Sequence, residues 1–351
     1  MKVAIAHPEA AVRQRLNVIL QDSFGIECAW EADESRGVRF RFQQETPDIL
    51  LLSLELKGEP VSNLTRDLIL GAPCAILLLE GSGDSDVSTV FDCLGQGATD
   101  VARLPANPLT AKAEAWANLR ARFATLKTLV GHVQPAGPVP SSEGMLDVAH
   151  LNSPLIVALG ASTGGPKALA TVLSAFPETF PAAVVIVQHL DAHFYQGLSE
   201  WLALGSRLPV VAVDEPVTFE AGNIYLAARP EHMVVSPGDR LSFTREWPEL
   251  VSRPSIDVLF KSLAEMRGAR GVAALMTGMG RDGAEGLLAL RRAGFYTIAQ
   301  DAPSSVVYGM PRAAADMDAA TIVLPLQRIG ARIVEKVHAL SGAEENKGNR
   351  R

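Results

Sequence analysis

Cysteine, long apolar runs and positive charge are all scarce in this 351-residue chain. No apolar run approaches the roughly 20 residues that a membrane span requires, so no insertion into a bilayer is expected. The start, Met1-Lys2-Val3-Ala4-Ile5-Ala6-His7-Pro8, has one cation and a short apolar stretch that reads as a strand. It lacks the apolar core and small-residue cleavage site of a signal peptide, and the expected location is the cytoplasm. The three cysteines, Cys28, Cys74 and Cys93, are an odd number without metal-ligand spacing, which fits reduced core thiols rather than a disulfide framework or a metal site. With 32 Lys and Arg against 39 Asp and Glu, the net charge is −7, which disfavours a broad phosphate-binding surface and hence a nucleic-acid partner.

The hydrophobic share of 48% and charged share of 20% are those of a globular protein, and the length fits two domains. From residue 1 to about 130, short apolar runs alternate with amphipathic stretches, the pattern of a parallel sheet wrapped by helices. Strands are expected at Val3 to Ala6, Ile49 to Leu54 and Ala75 to Leu79, and helices at Glu9 to Leu20 and Leu109 to Leu129. Residues 131–150, rich in Pro, Gly and Ser, read as a linker. A second α/β domain is expected over 151–341, with buried parallel strands at Leu155 to Leu159, Ala182 to Val187 and Gly271 to Met276. Between the last two, Leu208 to Phe243 holds short β-branched segments broken by turn residues, an antiparallel hairpin region attached to the main sheet. Residues 342–351 read as a disordered tail. The fold class is thus α/β throughout, with a doubly wound, mostly parallel second sheet.

Three strand ends carry the chemistry. Gly160-Ala161-Ser162-Thr163-Gly164 places a hydroxyl on a tight strand-to-helix turn in a Gly-x-Ser-x-Gly pattern, a geometry that suits an oxyanion, a bound phosphate or a plain structural turn. His189 ends the second strand, where a lone histidine commonly packs or caps, and Asp282 follows the third strand, where a lone aspartate commonly caps a helix. Their joint placement outside the carboxyl ends of strands in one sheet is what points to a serine hydrolase: Ser162 as nucleophile, His189 as general base and Asp282 as the group that orients the imidazole. Backbone donors for an oxyanion are expected near Thr163 or in the Gly278-Met279-Gly280 turn. No cofactor or metal is required by this chemistry. His189, Asp191 and His193 also raise a metal-dependent hydrolase, although their spacing follows a strand instead of lying on one helix face.

GASTGGP at 160–166, QHL at 188–190, RPSIDVLF at 253–260, TGMGRDGAEG at 277–286 and GMPRAA at 309–314 closely resemble the CheB-type protein-glutamate methylesterases of bacterial chemotaxis. The resemblance implies Ser162, His189 and Asp282 as the triad, with Thr163 and the Met279 backbone beside the reaction centre. It implies hydrolysis of γ-glutamyl methyl esters on the cytoplasmic helices of chemoreceptors, deamidation of receptor glutamines as a second activity, and a chemosensory histidine kinase or adaptor as signalling partner. One departure is Tyr225-Leu226-Ala227-Ala228-Arg229-Pro230, where the family usually has Pro-Gly after the first alanine.

In that family the N-terminal domain is a phosphorylated receiver with a flavodoxin-like fold. Here His7 and Pro8 stand where the Mg²⁺-binding acids are expected, Ser53 stands at the acceptor position, Glu80 or Gly81 at the hydroxyl position, and Leu104 where a lysine precedes proline. Without those carboxylates no hard-oxygen metal site and no acyl phosphate are expected, which makes the domain a pseudo-receiver. A non-catalytic signalling adaptor is the competing class of function; the complete triad motifs weigh against it.

Overall fold

The computed structural model describes residues 1–81, 87–130, 155–236, 238–250 and 252–348. The chain divides into two compact units, Met1–Gln134 and Pro135–Arg351. The expected linker at 131–150 lies outside the described residues.

In the first unit, β1 (Val3–Ala6), β2 (Cys28–Ala32), β3 (Ile49–Ser53), β4 (Ala75–Glu80) and β5 (Asp100–Arg103) form one parallel sheet in the order β2-β1-β3-β4-β5. This is the flavodoxin-like order, wound by α1 (Ala10–Phe24), α2 (Ser35–Gln44), α3 (Val61–Gly71), α4 (Val87–Gln96) and α5 (Ala117–Val130). Strand residues alternate between faces, so Val3, Ile5, Ile49, Leu51, Leu77 and Leu79 point one way, against Leu16 and Leu20 of α1 and Leu119, Phe123 and Leu126 of α5. The intervening residues Ala4, Leu50, Leu52, Ile76 and Leu78 are equally buried, which is why these strands read as unbroken apolar runs. The helix expected from Leu109 begins only at Ala117, after a 3₁₀ turn at Ala113–Trp116. The Asn107 carbonyl takes the Thr110 and Ala111 N–H groups in a turn of its own, which occupies the start of the expected helix. All three cysteines are free, with Cys93 buried and Cys28 and Cys74 only half-buried.

The second unit is built on a seven-stranded parallel sheet of β6 (Leu155–Ala161), β7 (Ala182–Gln188), β8 (Val210–Val213), β10 (Ile224–Ala227), β13 (Arg270–Leu275), β14 (Tyr296–Gln300) and β15 (Ile322–Leu324). Their order is β15-β14-β13-β6-β7-β10-β8. The chain runs outward on one side of β6 and returns to the other side at β13, so the topological switch point, where α/β sheets place their ligands, lies between the ends of β6 and β13. The region expected to be one attached hairpin divides: β8 and β10 join the main sheet, while β9 (Val217–Thr218), β11 (His232–Ser236) and β12 (Arg240–Thr244) form a separate antiparallel sheet. The divergent Arg229 sits in the turn between β10 and β11, within reach of Glu215 and Glu231.

The helices of this unit are α6 (Gly165–Leu173), α7 (Tyr195–Gly205), α8 (Ile256–Glu265), α9 (Ala284–Arg292), α10 (Met310–Asp316) and α11 (Leu326–Gly348). α8 shows why they form: Ile256, Leu259, Phe260 and Leu263 are fully buried at i, i+3, i+4 and i+7, and Ser255 caps the first turn. Each such side chain contributes about 1.5–3 kcal/mol on burial, enough to fix the helix against the sheet. α11 runs as far as Gly348, past Gly342 where a tail was expected to begin.

Candidate active site

Ser162 follows the last residue of β6, and Gly164, at φ +75°, turns the chain into α6. A side chain is disfavoured in that left-handed conformation, and an added Cβ would also stand 2.6 Å from Val306. β6 and β7 pair in register as far as Ala161 and Gln188, so Ser162 and His189 are the next residues on adjacent strands. The His189 N–H donates to the Ala161 carbonyl at 3.0 Å. On the other side of β6, the Ser162 N–H donates to the Thr277 carbonyl at 2.9 Å, which ties the serine turn to the loop after β13.

That loop carries Asp282. Asp282 Oδ2 lies 2.7 Å from His189 Nε2, so two of the three residues singled out in the sequence are in direct contact across 93 positions. The carboxylate is also held at the N-terminus of α8: Ser255 Oγ donates to Oδ1 at 2.7 Å, and the N–H groups of Ile256 and Asp257 donate at 2.8 and 3.1 Å. The positive end of the helix dipole reinforces these bonds. Burial by itself pushes the Asp282 carboxyl upward, but His189, Ser255 and the Ile256 N–H outweigh it and hold the group at about 2. Asp282 is therefore ionised at neutral pH, and its bond to His189 puts the imidazole proton on Nε2.

Thr163 is buried, and its carbonyl accepts from Thr277 Oγ1 at 2.9 Å. Met279 is 43% exposed and, with Gly280, Arg281, Asp282, Asp257 and Leu250, lines a cleft of about 450 Å³. The turn before it is pinned by Gly309 and Met310 N–H groups on the Gly278 carbonyl, at 3.1 and 2.8 Å. His193 and Asp191 take another part: the Asp191 side chain accepts the His193 N–H at the start of the 3₁₀ turn Ala192–Phe194, and the His193 ring meets Phe194 edge-on. Among the described residues no group of three His, Cys, Asp or Glu side chains is placed to hold a metal ion.

Sequence reasoning missed Ser255, Gln188 and Thr277 as parts of the site. Ser255 carried a legible signal, a serine after proline opening an amphipathic run, but that pattern announces a helix cap and not a partner for an aspartate 27 residues away.

At the matching end of the first unit, His7, Ser53 and Glu80 stand at the ends of three adjacent strands. All three are buried. His7 Nδ1 accepts the Glu9 N–H at 3.1 Å, Ser53 Oγ accepts the Glu55 N–H at 3.1 Å, and Glu80 pairs with Arg103 at 3.6 Å. Burial drives His7 below the ordinary imidazole range. A single carboxylate in this trio, already facing a guanidinium, is a poor ligand set for a hard divalent cation.

The CheB methylesterase family model matches residues 157–333. The protein-glutamate methylesterase/protein-glutamine glutaminase of Mesorhizobium japonicum is 36% identical over 95% of this chain and 98% of its own length. A second relative of the same name, from Burkholderia orbicola, is 40% identical over 83% of this chain and 85% of its own. The crystal structure of the Thermotoga maritima CheB methylesterase catalytic domain covers 52% of this chain and 99% of that one, at 30% identity and a TM-score of 0.49. On the family match and on relatives spanning nearly its full length, this chain belongs to the CheB methylesterase family.

Proposed function

We propose that the chain hydrolyses γ-glutamyl methyl esters on the cytoplasmic helices of chemoreceptors, with Ser162, His189 and Asp282 as the catalytic triad. The observation that carries the reading is the 2.7 Å contact between His189 Nε2 and Asp282 Oδ2, beside a serine on the neighbouring strand end. With Nε2 engaged by the carboxylate, Nδ1 is the nitrogen left to accept a proton. It takes the Ser162 hydroxyl proton as Oγ attacks the ester carbonyl, and returns it to the methoxide oxygen so that methanol leaves and an acyl-enzyme remains. Water, deprotonated by the same nitrogen, then attacks the acyl carbon; the bond to Oγ breaks, the imidazole returns the proton to Ser162, and the receptor side chain leaves the enzyme as a glutamate carboxylate. Donors near Thr163 and Met279 stabilise the oxyanion at each stage. A glutamine side chain in the same position loses ammonia in place of methanol, the second activity in the relatives' names.

The substrate places the reaction in the cytoplasm, and no helix among the described residues is long and apolar enough to cross a membrane. A chemosensory histidine kinase or adaptor is the proposed signalling partner. The first unit acts as a pseudo-receiver, without phosphoryl transfer to Ser53 or a neighbouring acid, a reading supported by His7, Ser53 and the Glu80–Arg103 pair.

The test is methanol release from methylated chemoreceptor by the wild type and by Ser162→Ala. Release that vanishes in the variant supports the reading; release that persists refutes the nucleophile.

A further inference from the structure

Asp282 is held by the first turn of α8, and that turn is itself held from behind. His232, the first residue of β11, is 1% exposed. Its Nδ1 accepts the Ser255 backbone N–H at 3.1 Å. As the helix cap, Ser255 has no partner for this N–H within α8, so His232 satisfies a donor that would otherwise be buried and unpaired. The same Ser255 presents its hydroxyl to Asp282, and the next two N–H groups of the turn reach the same carboxylate. The Trp247 ring stands nearly edge-on to the imidazole, with ring centroids 6.5 Å apart.

Acceptance at Nδ1 requires the neutral ring with its proton on Nε2. Burial depresses His232 below the usual imidazole range and Arg253 adds to this, against the opposing pull of the Trp247 backbone, Asp282 and Glu249. The neutral form therefore prevails at neutral pH.

We infer that His232 is a positioning residue for the esterase: by accepting the Ser255 N–H it sets the first turn of α8 so that one hydroxyl and two N–H groups converge on Asp282, and thereby how firmly Asp282 holds His189. The inference rests on the proposed role of Asp282. Because His232 is buried, its loss acts on kcat and leaves KM unchanged.

The test uses the full chain and compares wild type with His232→Ala, His232→Asn, His232→Gln, Ser255→Ala, His232→Ala/Ser255→Ala and Asp282→Asn. For each, kcat and KM for methanol release are measured beside thermal unfolding and the rate at which a fluorophosphonate labels Ser162. The label needs the base but no receptor, so a wrong substrate is told apart from a wrong network. Asparagine sets an oxygen near the position of Nδ1, whereas glutamine reaches toward that of Nε2. The expected result is a kcat about tenfold lower in His232→Ala and His232→Gln, restored to within about threefold of wild type in His232→Asn, with labelling rates in the same order. The alanine change should also cost less in the Ser255→Ala background than in wild type, since part of its route is already removed.

Fully additive losses, a loss confined to KM, an unimpaired His232→Ala, or glutamine rescuing as well as asparagine would each overturn the inference. Should His232→Ala fail to fold, the asparagine and glutamine pair decides the matter. Wild-type rates in Asp282→Asn would refute the role of Asp282, and that of His232 with it. A crippled Asp282→Asn beside an unimpaired His232→Ala would refute His232 alone.

Discussion

The side chain of Gln188 donates from one nitrogen to the Ser162 carbonyl at 2.8 Å and to the His189 carbonyl at 3.0 Å. A single buried amide thus ties the proposed nucleophile to the proposed base through their backbones, while its oxygen packs against Gly165 at the start of α6. Gln188→Met keeps the length and removes both bonds. Its kcat should fall about 10- to 100-fold, as a serine turn displaced by a fraction of an ångström loses its line of attack. Gln188→Glu should fall further, because an ionised carboxylate then faces two carbonyl oxygens, and should also lower stability by about 1–3 kcal/mol. Steady-state kinetics and thermal unfolding check both, and a wild-type kcat in Gln188→Met would refute the clamp.

Asp257 and Asp282 share one cleft but carry opposite shifts. Asp282 is held at about 2, so the stability it contributes is complete above the ordinary carboxylate pKa of about 4 and is lost as pH falls through about 2. Asp257 is raised to about 6, chiefly by burial and further by Asp282, against the Gly286 N–H that favours its charge. The folded state therefore prefers the protonated Asp257, and stability declines as pH rises from about 4 through about 6. Asp257→Asn removes the charge and keeps an oxygen for Gly286. Discounted for partial exposure, it should stabilise by about 1 kcal/mol at pH 8, raising Tm about 2–4 °C, and change little at pH 4. Calorimetry at the two pH values checks this; a larger gain at pH 4 would reverse the sign of the argument.

The first unit should not accept a phosphoryl group. Incubation of the full chain with acetyl phosphate and Mg²⁺ is expected to leave no hydroxylamine-labile label and no change in the rate of methanol release. Glu80 pairs with Arg103 at the end of β4, and one carboxylate beside His7 and Ser53 is not the cluster that a divalent cation needs. A label that appears in the wild type and is abolished by changing one acidic residue would defeat the pseudo-receiver reading.

What was legible in the sequence were the strands buried on both faces. β3, β6, β7 and β13 are unbroken apolar runs because no face of them meets water, and Ser162, His189 and Asp282 follow three of these runs. The edge strand β2 went unread, since Cys28-Ala29-Trp30-Glu31-Ala32 is only partly buried and mixes charge with apolar residues. The division between β10 and the antiparallel sheet is a matter of which non-adjacent strands pair, Ile224 with Val210 in the main sheet and Leu241 with Val217 outside it, and local turn chemistry does not encode it. The cradle of Asp282 was hidden for another reason. Two of its four donors are backbone N–H groups of Ile256 and Asp257, whose presence depends on where a helix begins and not on which side chains it carries.

Gly278 joins both halves of the site, and its missing side chain is a requirement. An added Cβ would stand 2.6 Å from the Ser162 Cβ and 2.5 Å from Met310 Sδ, well inside contact distance for both. The methionine is flexible enough to yield, but Ser162 is held by its own N–H on Thr277 and by its carbonyl on Gly165 and Gln188. The strain in Gly278→Ala therefore falls on the serine turn or on the Gly278-Met279-Gly280 turn, and either shift separates the proposed nucleophile from the proposed oxyanion donors. The expected outcome is a kcat about 100-fold lower with KM within about threefold of wild type, since the outer cleft wall is left in place. Overpacking should also cost about 1–3 kcal/mol of stability. Gly278→Ala/Met310→Ala relieves only the methionine contact, so it should recover some stability without recovering kcat. Full recovery of kcat in the double variant would show that Met310, and not Ser162, bears the strain.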